Sequence, residues 1–333
     1  MTRNHASWAV RLGMAFCLAV FGIAGGAKAA SAPEVVTPAR DALPEAIKSA
    51  GVLRLATSLQ WPPFDYTNDK GDAEGIDIDL ITLIAAKLGL KLELTNVKFP
   101  SIVPGVTTGR FDVGLDQLSR TAEREKVAQF VVYFRSALGL LVRKGVTDVD
   151  VHRLCGRTLA LTQGSSQVAV AQRLSDSCVK EGKQAIGFQF YPTSADSYLA
   201  VSNGRGDGFL TGRAVGAYIA SHDDKLHMTE AILPETSELA GIVIAEGNDQ
   251  LAKAVRLALE SAIEDGSYAK MLKKHDAEEG ALTVAEVRDQ LADILNIPEN
   301  AQARVNGSPV SDDSTLSDGA SVEFVKTAGE KGA

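Results

Sequence analysis

An α/β fold is predicted by three features of the chain. Short apolar runs at residues 159–161, 185–190 and 208–210 alternate with helix-like segments, the rhythm of βαβ units. Phe111, Val113 and Leu115 alternate with Asp112, Gly114 and Asp116, a period of two that reads as a short strand. Leu80, Leu83, Ile84 and Leu88 fall on one face at helical spacing, with Asp77 and Asp79 suited to cap that helix at its N-terminus.

The N-terminus reads as an export signal over residues 1–29. Arg3 and Arg11 precede an apolar run over residues 12–23, and Ala27-Lys28-Ala29 has the small-residue pattern of a cleavage site. That run is too short to span a bilayer. Phe16 before Cys17 departs from a lipoprotein signal, so a soluble product is expected. Cleavage after Ala29 leaves 304 residues (333 − 29), room for two lobes and an additional piece. It removes three basic residues and no acids, so the net charge moves from −8 to −11. An acidic balance argues against nucleic acid and anionic membrane surfaces as partners. Cys155 and Cys178 alone survive cleavage, and an even pair in an oxidising compartment suggests a disulfide.

Residues 30–44, with Pro33, Pro38 and Pro44, read as a flexible leader. A short helix starts near Pro44, and residues 52–57 form the first strand. The strand runs into Trp61-Pro62-Pro63-Phe64, where two prolines stop regular structure and leave Trp61 and Phe64 as candidate pocket walls. Core packing is the competing reading for Phe64. After the strand at 111–115 come Gln117, Ser119 and Thr121, and Arg124 lies about one helical turn beyond the strand end. Ligands bind at that end of an α/β sheet, and a guanidinium there grips a carboxylate with two parallel bonds. Pairing with Glu123 or Glu125 on a solvated face is the bland alternative for Arg124.

Several spaced motifs then carry a resemblance. Gly75 to Leu88, Phe99-Pro100-Ser101-Ile102, Gly109-Arg110-Phe111-Asp112, Thr121-Ala122-Glu123-Arg124, Gln163-Gly164-Ser165-Ser166, Gly204-Arg205-Gly206-Asp207 and Asp265-Gly266-Ser267-Tyr268 occur in that order. From about residue 44 to 282 the chain resembles the bacterial extracellular solute-binding proteins of family 3, the amino-acid class that serves ABC importers. The resemblance implies a two-lobe periplasmic-binding-protein fold (type II). Lobe 1 would comprise residues 45–141 and 240–283, lobe 2 residues 146–236, with crossings near 140–144 and 237–242. It implies a small carboxylate or amino-acid ligand, an inner-membrane ABC permease as partner, a periplasmic monomer, and no cofactor or catalytic residue. Arg124 matches the family's carboxylate-binding arginine, with Ser119 and Gln117 beside it, Trp61 and Phe99 as walls, and Ser165 and Ser166 at a helix start across the cleft.

The chain departs from that pattern where family members hold the ligand ammonium. The expected aspartate is Gly212, and a second acidic position is Ser58. Either Asp116 takes the role, or the ligand has no α-ammonium and Arg213 meets a second anionic group. Rival functions are a periplasmic enzyme resembling cyclic-dienyl-acid dehydratases, such as cyclohexadienyl dehydratase, and a sensor for a membrane receptor. The first needs an acid or base in the cleft, for which Asp116 is the candidate. His152, His222, His227 and His275 show no zinc-ligand spacing. Arg205-Gly206-Asp207 reads as the family turn rather than an adhesion tripeptide. Residues 284–333 form an α+β extension: Val284, Val287, Leu291 and Leu295 at helical spacing, a hairpin at Asn306-Gly307, and a strand near 320–325. These resemble the second half of a β-grasp domain.

Overall fold

The computed structural model describes residues 33–149, 151–277, 282–285, 287–288, 301–315 and 322–325. The export signal and most of the helix expected from 283 lie outside the described residues.

Eight strands form one sheet in the order Lys91–Asn96, Val52–Thr57, Val113–Gly114, Leu226–Ala245, Ala128–Arg143, Gly208–Gly212, Thr158–Thr162, Gly187–Tyr191. The first strands pair in parallel around Val52–Thr57 and the last around Thr158–Thr162, each flank forming the sheet of one lobe. Two long antiparallel strands, Ala128–Arg143 and Leu226–Ala245, run through both lobes and join them. Along Ala128–Arg143 the pairing with Gly208–Gly212 begins at Leu138. The strand has therefore joined the second lobe's sheet before the crossing expected at 140–144. Its register against Leu226–Ala245 shifts between Ile232 and Ser237, so the changeover sits where the ladder is irregular.

The alternation at 111–115 yields a strand of two residues, Val113–Gly114, in which Gly114 is covered by Ile102 and Val106 and leaves no room for a larger side chain. The helix Ile76–Lys87 forms where its apolar spacing requires, with Leu80, Ile81 and Ile84 in the core. Its last residue, Lys87, is buried and donates to Ser261 Oγ (3.1 Å) and Asp265 (2.6 Å), tying the helix to Asp249–Glu264. The aspartates at its start act differently from caps. Gly75 occupies the N-cap, Asp77 accepts from other parts of the lobe, and Asp79 meets Lys274 and His275.

Residues 33–44 do not form a flexible leader. Thr37–Asp41 is a helix with proline in its first turn, where the missing N–H has no intrahelical partner to lose. Ala39 and Leu43 are buried in the core, and Arg40 Nη1 donates to the carbonyls of Leu88 (3.0 Å) and Gly89 (2.8 Å).

In the second lobe, Cys155 and Cys178 form the expected disulfide between a loop and the helix Gln167–Lys180. Closing this loop restricts the unfolded chain by roughly 3 kcal/mol. Cys155→Ser with Cys178→Ser is therefore expected to lower the unfolding free energy by about that amount in urea titration; an unchanged midpoint would remove the bond from the stability of the lobe.

After residue 282 the chain adds a three-stranded antiparallel sheet in the order Ser308–Pro309, Gln302–Val305, Val322–Val325. Asn306 and Gly307, both at positive φ (53° and 77°), make the hairpin turn. Val284, Val287 and Ala303 are buried in the same cluster as the first lobe, so this extension packs onto it.

Candidate functional site

Arg124 begins the tight turn Arg124–Lys126 beyond the strand Val113–Gly114. Its Nη1 donates to Ser119 O at 2.7 Å, within its own lobe, and its Nη2 donates to Gly164 O at 3.2 Å, in the other. Ser119 Oγ lies 3.1 Å from Ser166 Oγ, a second bond between the lobes. The guanidinium carbon is 6.0 Å from the Phe99 ring, and Trp61 meets Phe99 edge-on with ring centroids 5.4 Å apart. Gly164, at φ 78°, carries the loop ahead of the helix Gln167–Lys180 over Pro100, where a Cβ would lie 3.3 Å from the proline ring. The fold thus brings Trp61, Phe99, Ser119, Arg124 and Ser166 to one cleft. Ser165 adjoins them, buried, its hydroxyl without a partner.

Two further contacts join the lobes: Ser194 N donates to Gln60 Oε1 at 3.1 Å, and the rings of Tyr66 and Tyr218 stand 5.9 Å apart.

Gln117 shows why Asp77 stands where it does. Its φ of 49° is strained for a residue with a Cβ, and Asp77 Oδ2 holds that conformation by accepting the Gln117 N–H at 2.7 Å. Tyr133 donates its hydroxyl to the other oxygen. The Gln117 side chain is thereby turned toward Gly212, where a Cβ would lie 3.5 Å from Nε2 and 3.3 Å from Ser136 Oγ.

Two predicted residues lie away from the cleft surface. Phe64 is fully buried and packs edge-on against Phe134 (4.9 Å), the core position that competed with the pocket-wall reading. Asp116 is also fully buried. Its Oδ1 accepts from Thr57 Oγ1 (2.9 Å) and Ser58 N (2.5 Å), and its Oδ2 from Ser58 Oγ (2.6 Å). Ser58 thus serves as a donor to a carboxylate inside the lobe.

Sequence reasoning missed the third member of this buried group. Asp65 accepts from Gln60 N at 3.1 Å and adjoins Asp116. Burial, then the charges of Asp116 and Asp77, push its carboxyl well above the usual range. Burial pushes Asp77 up to about 7, against the lowering effect of the Tyr133 and Gln117 donors. Burial raises Asp116 too, partly offset by the donors Asp65 and Ser58. The signal available in the sequence was Asp65 directly after Pro-Pro-Phe, a carboxylate carried by a fixed loop. Among the described residues, no cluster of His, Cys, Asp and Glu is placed to hold a metal ion.

The profile of the bacterial extracellular solute-binding proteins, family 3, matches residues 53–277, well over half of the chain. The chain belongs to this family. The arginine-binding protein of Corynebacterium glutamicum is 24% identical over 260 residues, which cover 78% of this chain and 85% of that protein. The ABC transporter glutamine-binding protein of Bacillus subtilis is 28% identical over 215 residues, 63% of this chain and 76% of the relative. Among solved structures, an ancestral amino acid-binding protein that is a precursor of cyclohexadienyl dehydratase superposes with a TM-score of 0.60 at 26% identity, covering 69% of this chain and 98% of that one. The match ends at residue 277, so the C-terminal sheet is an addition to the family's domain. Among the described residues, no helix is long and apolar enough to cross a membrane.

Proposed function

We propose that this family member is the substrate-binding component of an ABC importer. It captures a small carboxylate in the periplasm, after removal of the signal near Ala29, and presents its closed form to a membrane permease. The observation that carries the reading is Arg124. Its guanidinium sits at the junction of the lobes, bonded to a carbonyl of each, and a ligand carboxylate is a stronger acceptor than a neutral carbonyl. Ligand binding would draw those donors to itself and favour closure, since an occupant that touches both lobes shifts the open-to-closed equilibrium by its differential affinity.

Binding without turnover is the reading favoured over a dehydratase. A general acid or base must reach the substrate, and Asp116, the candidate for that role, is buried within lobe 1 together with Asp65 and Asp77. The amino-acid-binding relatives support the same reading.

A thermal-shift screen of the protein purified from the periplasm of expressing cells, against L-amino acids, dicarboxylates and cyclic dienyl acids, tests this. At least one acid should raise the melting temperature and be recovered with unchanged mass. Recovery of a dehydrated product, or no stabilisation by any of these acids, would overturn it.

A further inference from the structure

Trp61 Nε1 is buried without a protein partner, and the same holds for Gln117 Nε2 and Ser165 Oγ in the same cleft. The three groups constrain an occupant differently. A serine hydroxyl can donate or accept, and an amide can present either its nitrogen or its oxygen. An indole nitrogen can only donate. Such a donor is costly to leave buried and unpaired, so Trp61 fixes what the occupant must offer at that point, an acceptor.

The carboxylate read at Arg124 does not supply it. A carboxylate has about four acceptor positions. Two parallel bonds from the guanidinium and one each from the hydroxyls of Ser119 and Ser165 would fill them, Ser165 following Gly164, whose carbonyl lies 3.2 Å from Arg124 Nη2. The indole N–H therefore calls for a second acceptor elsewhere on the ligand. Trp61 and Arg124 both border the Phe99 ring, at 5.4 Å between centroids and 6.0 Å from the guanidinium carbon, so one small molecule can reach both.

Charge decides the kind of acceptor. Trp61 pairs with Asp65 across the hairpin of Gln60–Trp61 and Asp65–Thr67, and Asp65 adjoins Asp116 among the buried carboxyl groups of lobe 1. An anion brought to the indole would approach those groups and gain a neutral donor in exchange, whereas an uncharged oxygen takes the donor without that repulsion.

We propose that the ligand is a small acid bearing an uncharged acceptor oxygen, such as an amide carbonyl, and that Trp61 selects it by donating the indole N–H to that oxygen. The proposal rests on the reading of the cleft as a carboxylate site and names the ligand class.

Calorimetric titration of the periplasmic protein tests it, with L-glutamine, L-asparagine and glutaramate against L-glutamate, glutarate, L-norleucine, L-norvaline, hexanoate and L-arginine. At least one of the three amides should bind about tenfold more tightly than every other acid, the worth of one hydrogen bond. Trp61→Phe keeps an aromatic ring without the N–H, and should cut the preference for that amide over its aliphatic counterpart about tenfold. Trp8 lies in the export signal, so Trp61 is the one tryptophan of the mature chain and gives a single indole N–H signal in proton–nitrogen NMR. That signal should move downfield when the amide binds, a measurement that serves where Trp61→Phe fails to fold. An indole signal that stays in place on binding would overturn the proposal, as would a diacid, an aliphatic acid or arginine binding as tightly as the best amide. A folded Trp61→Phe protein that keeps the preference overturns it too. In each of these cases, binding that Arg124→Ala abolishes leaves the carboxylate reading standing, and the ligand class alone is wrong. If none of these acids binds, the carboxylate reading of the cleft falls with the proposal.

Discussion

Arg124→Ala is expected to weaken ligand binding by about 3–5 kcal/mol, the cost of removing one partner from a desolvated charge pair. The magnitude follows from what the variant leaves behind. A carboxylate bonded to this guanidinium would lie near the Phe99 and Trp61 rings, and in the variant its charge would have no cation opposite it. Removing the side chain also deletes the bonds to Ser119 O and Gly164 O that join the lobes in this structure. Arg124→Lys should recover only part of the loss, because an ammonium cannot make the parallel pair of bonds that a guanidinium makes. Calorimetry measures both constants. A dissociation constant within threefold of the parent for Arg124→Ala would take this residue out of the site.

The second large effect concerns pH and stability, with Asp65 as its handle. The unfolded chain releases an aspartate proton near pH 3.9, whereas burial and the neighbouring carboxylates hold the Asp65 carboxyl well above that value in the folded protein. A folded pKa above the unfolded value means the native state binds more protons. The stabilisation is complete below about pH 4 and is lost as pH rises toward the folded pKa, at about 1.4 kcal/mol per pH unit for each proton involved. Asp77, raised by burial to about 7, adds to the slope between about pH 4 and that value. Asp65→Asn keeps a donor to Asp116 and an acceptor for Gln60 N without a proton to lose. Urea unfolding across pH 4 to 8 should therefore show the variant losing less stability than the parent as pH rises, and exceeding it at pH 7. Parallel profiles would mean that Asp65 is already ionised in the folded protein.

Much of the framework was legible because it rests on short-range rules. Apolar spacing placed the helix Ile76–Lys87, the run 52–57 placed its strand, and Asn306-Gly307 placed the hairpin. The motif around Thr121 placed Arg124 beside Ser119, although it opens a short turn ten residues past the strand Val113–Gly114 and not one helical turn beyond it, and Gly164 placed Ser166 at the start of a helix. The misreadings share a cause. Asp116 follows a strand that leads to the cleft, and its position alone does not say that Thr57 and Ser58, almost sixty residues earlier, donate to it inside the lobe. Asp77 looks like a helix cap, although it holds the strained backbone of Gln117, forty residues away. The segment 33–44 looks like a leader because its prolines are visible, while the carbonyls that accept from Arg40 belong to another helix end.

By itself the sequence determined the strand at 52–57, the helix after Gly75, the hairpin at Asn306-Gly307, the family, and the presence of an arginine suited to a carboxylate. These depend on periodicity, turn chemistry and motif order, all local along the chain. Only the tertiary structure decided which polar groups face the ligand and which are spent inside the lobe. Gln117 and Gly212 become neighbours because Ala128–Arg143 and Leu226–Ala245 pair along most of their length and carry the second lobe against the first. A hydrogen bond satisfies a donor regardless of the separation of its partner along the chain, so the direction of Asp65, Asp77 and Asp116 was set by long-range pairing that no local pattern records.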